Sequence, residues 1–105
     1  MKDRLLSTIG ICRKAGKLVM GFDAVAEAIK LGEISLIVLA RDLSPKSAKE
    51  MAYLAGKQNI SLCKPPISMD EFWSRLGRRC GILGVADKGL ADTIIRTASR
   101  VNEEE

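Results

Sequence analysis

The chain contains no histidine. That removes the side chain most often used as a general base near neutral pH, and the commonest nitrogen ligand for a metal. Cysteine is scarce: Cys12, Cys63 and Cys80 stand far apart, without a Cys-x-x-Cys pair. An odd count at such spacing argues against both a disulfide framework and a zinc cluster, so all three read as buried or half-buried thiols. No apolar run approaches the roughly 20 residues that span a bilayer. The segment Met1 to Arg4 leads into a helical pattern rather than the apolar core of a signal peptide. The protein is therefore expected in the cytoplasm.

Signatures of nucleotide chemistry are also missing. None of the glycines builds a P-loop or a Gly-x-Gly-x-x-Gly fingerprint, and the only basic glycine-rich loop is Gly77-Arg78-Arg79-Cys80-Gly81. The neighbouring carboxylates Asp70 and Glu71 fall at a helix start, where they favour the helix dipole. Several serines occur, but no histidine exists to activate one. The sequence thus offers no catalytic residue, cofactor site or metal site, and an enzyme is not expected.

What is present is a soluble, basic domain. The 105 residues are 47% apolar and 29% charged, a balance suited to one compact unit. The net charge is +4, but the last three residues are all glutamate. Without them the chain carries 17 basic and 10 acidic residues, a net +7. Such a body suits a polyanion partner. The expected organisation is one domain over 1–102 followed by an acidic tail over 103–105.

Hydrophobic spacing and helix punctuation give the order of elements. Lys2 to Ala15 reads as an amphipathic helix, with Leu5, Leu6, Ile9 and Cys12 on one face and Gly16 as its stop. Lys17 to Met20 is a short strand, and Asp23 to Leu31 a second helix. Ser35 to Ala40 is apolar almost throughout, the mark of a central strand covered on both faces. Ser44-Pro45 opens a helix to about Gln58, and Ile60 to Lys64 is a strand. Ser68-Met69-Asp70-Glu71 is a capping box for a helix ending near Gly77. Cys80 to Ala86 is the last strand, and a final helix holds Leu90, Ile94, Ile95, Ala98 and Val101. This alternation predicts an α/β fold, a three-layer α/β/α sandwich around a four-stranded mixed sheet. Crossover connections predict that most strand pairs are parallel, with the short first strand free to pair either way.

Two basic clusters stand out: Arg13, Lys14 and Lys17 after the first helix, and Arg75, Arg78 and Arg79 before the last strand. They form one cationic surface beside the start of the second helix if both turns lie on the same sheet edge, and two separate solvated patches if they do not. The helix start Gly21-Phe22-Asp23-Ala24 presents backbone amides suited to a phosphate or a base edge.

Four stretches carry a family resemblance. They are Arg13 to Gly21, Ala26 to Gly32 with Leu36 to Asp42, Leu76-Gly77-Arg78, and Cys80 to Ala91. In this order they resemble the ribosomal kink-turn-binding superfamily of the L7Ae and L30e type, and the bacterial YlxQ-type branch in particular. The resemblance implies an L30e-like sandwich that binds structured RNA in ribosomes or ribonucleoproteins. It also implies that a Gly-Thr-Asn-Glu-x-x-Lys segment leads into the second helix and reads sheared G·A pairs. The loop before the last strand would then pack on a flipped-out nucleotide.

Carried over by position, Gly21 keeps the glycine, while Phe22 stands for threonine, Asp23 for asparagine, Ala24 for glutamate and Glu27 for lysine. An ionised aspartate only accepts, where asparagine both donates and accepts. Alanine removes an acceptor for guanine amines, and glutamate turns negative charge toward phosphate. Each lost base contact costs about 1–3 kcal/mol of discrimination. Trp73 and Arg75 also replace small residues usual in the fourth helix, and Trp73 on its capped amphipathic helix reads as core or groove packing.

The expected function is non-catalytic RNA binding of ribosomal-protein type, with specificity shifted from the standard kink-turn. Arg13, Lys14, Lys17, Arg78 and Arg79 would hold phosphates. Gly21, Phe22, Asp23, Ala24 and Glu27 would face the RNA, with Gly77, Cys80 and Gly81 shaping the second contact loop. The expected partners are structured RNA and ribosomal proteins, and the chain is taken as a monomer with no membrane partner. The alternative is a protein-interaction module on the same fold.

Overall fold

The computed structural model describes residues 2–104, with side chains through Val101; Met1 and Glu105 lie outside the described residues. Helices and strands alternate: α1 (Lys2–Lys14), β1 (Leu18–Met20), α2 (Phe22–Lys30), β2 (Leu36–Leu39), α3 (Pro45–Gln58), β3 (Ser61–Cys63), α4 (Met69–Leu76), β4 (Ile82–Val85) and α5 (Lys88–Glu104). The order is the one the sequence predicts. The helix starts hold for the expected reasons. Ser44 Oγ accepts from the Ser47 amide at 3.3 Å, with Pro45 as the first helical residue. Ser68 and Glu71 complete a reciprocal capping box. α5 runs to Glu104, so the acidic end expected as a tail over 103–105 begins within the helix, and its side chains lie outside the described residues.

The sheet order is β1-β4-β2-β3. β2 and β3 are parallel, but β4 is antiparallel to both β1 and β2. The expectation of mostly parallel pairs is therefore corrected. Crossovers through α2 and α3 do make β1, β2 and β3 run the same way. α4, however, has only 8 residues and does not carry the chain back to the far end of the sheet. The connection from β3 stays at one end, where the Arg41 amide donates to the Ile67 carbonyl at 2.8 Å. β4 therefore starts beside the end of β2, with Ile82 paired to Leu39, and runs back between β1 and β2.

β2 is buried along its whole length, and its side chains alternate between two cores. Leu36 and Val38 pack with α1, α4 and α5 through Leu5, Ile9, Phe72, Leu76 and Ile94. Ile37 and Leu39 pack with α2 and α3 through Val25, Ile29 and Met51. The three-layer sandwich follows. One end of the sheet gathers the exits of β1, β2 and β3 and the start of β4. It thereby brings together residues 21–24, 41–44, 64–68 and 77–81.

Candidate nucleic-acid interface

The start of α2 is the open feature of this end. Gly21 is its N-cap at φ 100° and ψ 155°, and no side chain caps the helix. That backbone conformation is nearly glycine-only. The Gly21 amide donates to the Ile82 carbonyl at 2.9 Å, which ties the turn to β4, and the Gly21 carbonyl accepts from Val25 at 3.0 Å. The amides of the first turn are left to face outward, with the positive end of the helix dipole behind them. Val25, Ala28 and Ile29 face the core, while Asp23, Ala24 and Glu27 form the exposed face.

Arg78 stands over this turn. Its Nη2 lies 3.5 Å from where a Cβ on Gly21 would be, so the guanidinium packs against the bare α-carbon. The two residues are 57 positions apart, and only the insertion of β4 beside β1 joins them. Gly77 caps α4 in the left-handed region at φ 72° and turns the chain toward Arg78. Arg79 is instead engaged by Asp70, its Nε donating to Oδ1 at 3.1 Å between two exposed groups. Gly81 serves packing: a Cβ there would fall 2.7 Å from Leu43 Cδ1 and 3.1 Å from Met69 Sδ. Cys80 points into the core, so it offers the loop its backbone and not its sulfur.

The first basic cluster divides. Arg13 and Lys14 line a groove of about 330 Å³ between α1 and α4, together with Gly10, Arg75 and Leu76. Arg75 is fixed there, donating to Ser7 Oγ at 3.1 Å and to Asp3 Oδ1 at 3.3 Å. Lys17 sits at the other end of β1 from Gly21, where its carbonyl accepts from the Ala86 amide at 2.9 Å. The single cationic surface is thus partly assembled: Arg78 reaches the α2 turn, Arg13 and Lys14 join Arg75, and Lys17, whose amide donates to the Cys12 carbonyl at 2.9 Å, stays by the end of α1 at the other end of β1 from Gly21.

Trp73 corrects another expectation. It is 54% exposed and outside both cores. Phe72 and Leu76 take the inward face of α4, and a 100° step along the helix turns Trp73 outward. Sequence reasoning also missed a groove of about 520 Å³ lined by Phe22, Lys46, Lys49, Glu50, Tyr53 and Leu54. The available signal was the helical spacing of Lys46, Lys49 or Glu50, and Tyr53 on α3. Its contact with Phe22 is long-range and leaves no local mark.

Burial holds all three thiols toward the protonated form. Burial pushes Cys63 up to about 12. Burial, reinforced by the nearby charge of Asp87, raises Cys12. Burial raises Cys80 despite the opposing charge of Arg78. A protonated thiol is a poor nucleophile. Among the described residues no group of three Cys, Asp or Glu side chains could hold a metal ion, and no helix is long and apolar enough to cross a membrane.

Residues 3–93 match the ribosomal protein L7Ae/L30e/S12e/Gadd45 family. The large ribosomal subunit protein eL30B of Schizosaccharomyces pombe is 26% identical over 94 residues, covering 88% of this chain and 80% of that protein. A Bacillus halodurans protein of unknown function has a similar structure, with a TM-score of 0.85 at 21% identity over 90% of this chain and 96% of the other. The 15.5 kD RNA-binding protein of Giardia lamblia is similar at a TM-score of 0.73 and 10% identity, over 94% and 85% of the two chains. At these identities the two structures speak for the fold.

Proposed function

We propose that this chain, which belongs to the ribosomal protein L7Ae/L30e/S12e/Gadd45 family, binds structured RNA of the kink-turn type at the end of the sheet where α2 begins, with a specificity of its own. The observation that carries this reading is the placement of the Arg78 guanidinium over Gly21, beside a helix start that no side chain caps. A phosphate there meets the outward amides of α2 and the guanidinium together. It is a non-catalytic, ribosomal-type role. The named relatives support it: one is a large-subunit ribosomal protein and one an RNA-binding protein.

The specificity shift follows from the exposed face of α2. Asp23 and Glu27 place two carboxylates where an RNA would approach, and Ala24 between them offers no hydrogen bond. Affinity then rests on cations rather than on base edges. Arg78 holds phosphate at the α2 end and Arg79 adds positive charge beside it from its exposed pair with Asp70, while Arg13 and Lys14 meet a strand that continues along α1. Lys17, at the opposite end of β1, contributes least. Work in the cytoplasm, in contact with ribosomal RNA and its proteins, fits this role.

The test is a titration of three RNAs, a kink-turn, a straight duplex and a single strand, at two salt concentrations. The kink-turn should bind best but by a narrow margin, and its affinity should fall steeply with salt as counterions are released. Absence of binding to all three at low salt would overturn the reading. The acidic face of α2 favours one second reading, a protein-interaction module. The double variant Arg78→Glu, Arg79→Glu separates the two, because RNA binding collapses only if these arginines carry it.

A further inference from the structure

We infer that the groove between the start of α2 and the outer face of α3 is a nucleotide subsite, in which an unpaired base of the bound RNA stacks on Tyr53 above Phe22 and Leu54 while Lys46 and Lys49 meet its phosphate. The inference rests on the RNA-binding reading and extends it to a second helix.

Four observations support it. The groove measures about 520 Å³, within the range of about 300–1,000 Å³ usual for small-molecule sites and ample for one nucleotide. Its lining is mainly apolar and brings Phe22, Tyr53 and Leu54 together with two lysines, Lys46 and Lys49, and a single Glu50. That combination suits a planar ring joined to an anion better than an apolar helix. Tyr53 is 61% exposed, and Lys57 Nζ stands over its ring at 5.4 Å from the centroid. The Lys57 ammonium takes one face of the ring, and Tyr53 itself lines the groove, which Lys57 does not.

The groove is also continuous with the proposed RNA contact. Phe22 is the first residue of α2, so one residue supplies both a backbone amide to the open helix start and a side chain to the groove. An RNA strand leaving that start reaches Tyr53 without crossing the body of the protein. Lys46, Lys49 and Tyr53 stand on successive turns of α3 and face it together.

The experiment uses the full chain and two probes: a kink-turn hairpin with blunt ends, and the same hairpin with six-uridine single strands at both ends. The wild type should bind the tailed RNA about tenfold tighter or more. Tyr53→Ala should lose that gain and bind the blunt RNA as before, Tyr53→Phe should keep it, and Lys49→Gln should lower the salt slope for the tailed RNA alone. Equal binding of both RNAs by the wild type, or by Tyr53→Ala a gain as large as the wild type's, would overturn the subsite, as when the groove serves a protein. Failure of the wild type to bind either RNA at low salt would overturn the RNA reading itself.

Discussion

Three helices, α2, α3 and α4, begin at the same end of the sheet, and α4 and α2 begin in opposite ways. The start of α4 is closed. Ser68 Oγ accepts from the Glu71 amide at 3.1 Å, Glu71 Oε1 accepts from the Ser68 amide at 3.0 Å, and Asp42 Oδ1 accepts from the Met69 amide at 3.0 Å. The start of α2 has no such cap, carries glycine at its N-cap, and has a guanidinium beside it. A serine could not simply take its place, because the backbone at Gly21 lies in a region open almost only to glycine. The contrast teaches that the start of α4 is satisfied within the fold, whereas the start of α2 leaves its amides to an outside partner on the proposed function.

The strongest way to break this comparison is to reverse the charge at the open start. The double variant Arg78→Glu, Arg79→Glu should weaken RNA binding at low salt by about a hundredfold or more, with urea stability within about 0.5 kcal/mol of wild type. Gly21→Ala comes next. At φ 100° and ψ 155° a side chain is strained by about 1–3 kcal/mol, so the midpoint of unfolding should fall and RNA affinity with it. Ser68→Ala, at the closed start, should cost about 1 kcal/mol in urea unfolding and leave RNA affinity unchanged.

Two smaller effects sharpen the comparison. The Ser68 amide, and after it Lys2 at 3.2 Å, hold the Glu71 carboxyl below its ordinary 4.5. A carboxylate lowered on folding stabilises above its unfolded value and loses that contribution as pH falls through its folded value. The advantage of wild type over Glu71→Gln, measured by urea unfolding, should be constant above about pH 5 and fade below it. Lys17→Gln should change least, lowering the salt slope of RNA binding by about one or less.

Much of the fold was legible in the sequence because it is encoded locally. Ser44-Pro45, the Ser68–Glu71 box and the apolar run from Leu36 to Leu39 each mark an element within a few residues, and all formed as expected. Strand direction was not legible. It depends on where the chain travels after β3, and a short α4 sent β4 back between β1 and β2. The site divides along the same line. Gly21 as the residue opening α2 was recognisable from its segment. The approach of Arg78 to Gly21 and the groove shared by Phe22 and Tyr53 depend on contacts across the sheet and between helices. Trp73 is a matter of helical phase: with Phe72 and Leu76 on the inward face of α4, the next position after Phe72 turns outward.

On the proposed function, RNA enters at the open start of α2 and not at the closed start of α4. The most direct measurement is an amide NMR titration of the labelled protein with a kink-turn RNA at low salt. The account predicts that the largest shifts fall on residues 21–24 and 77–79, with the amides of Met69 to Glu71 nearly unmoved. The largest shifts at Met69 to Glu71, or around Lys17 and Ala86 at the other end of the sheet, would contradict it.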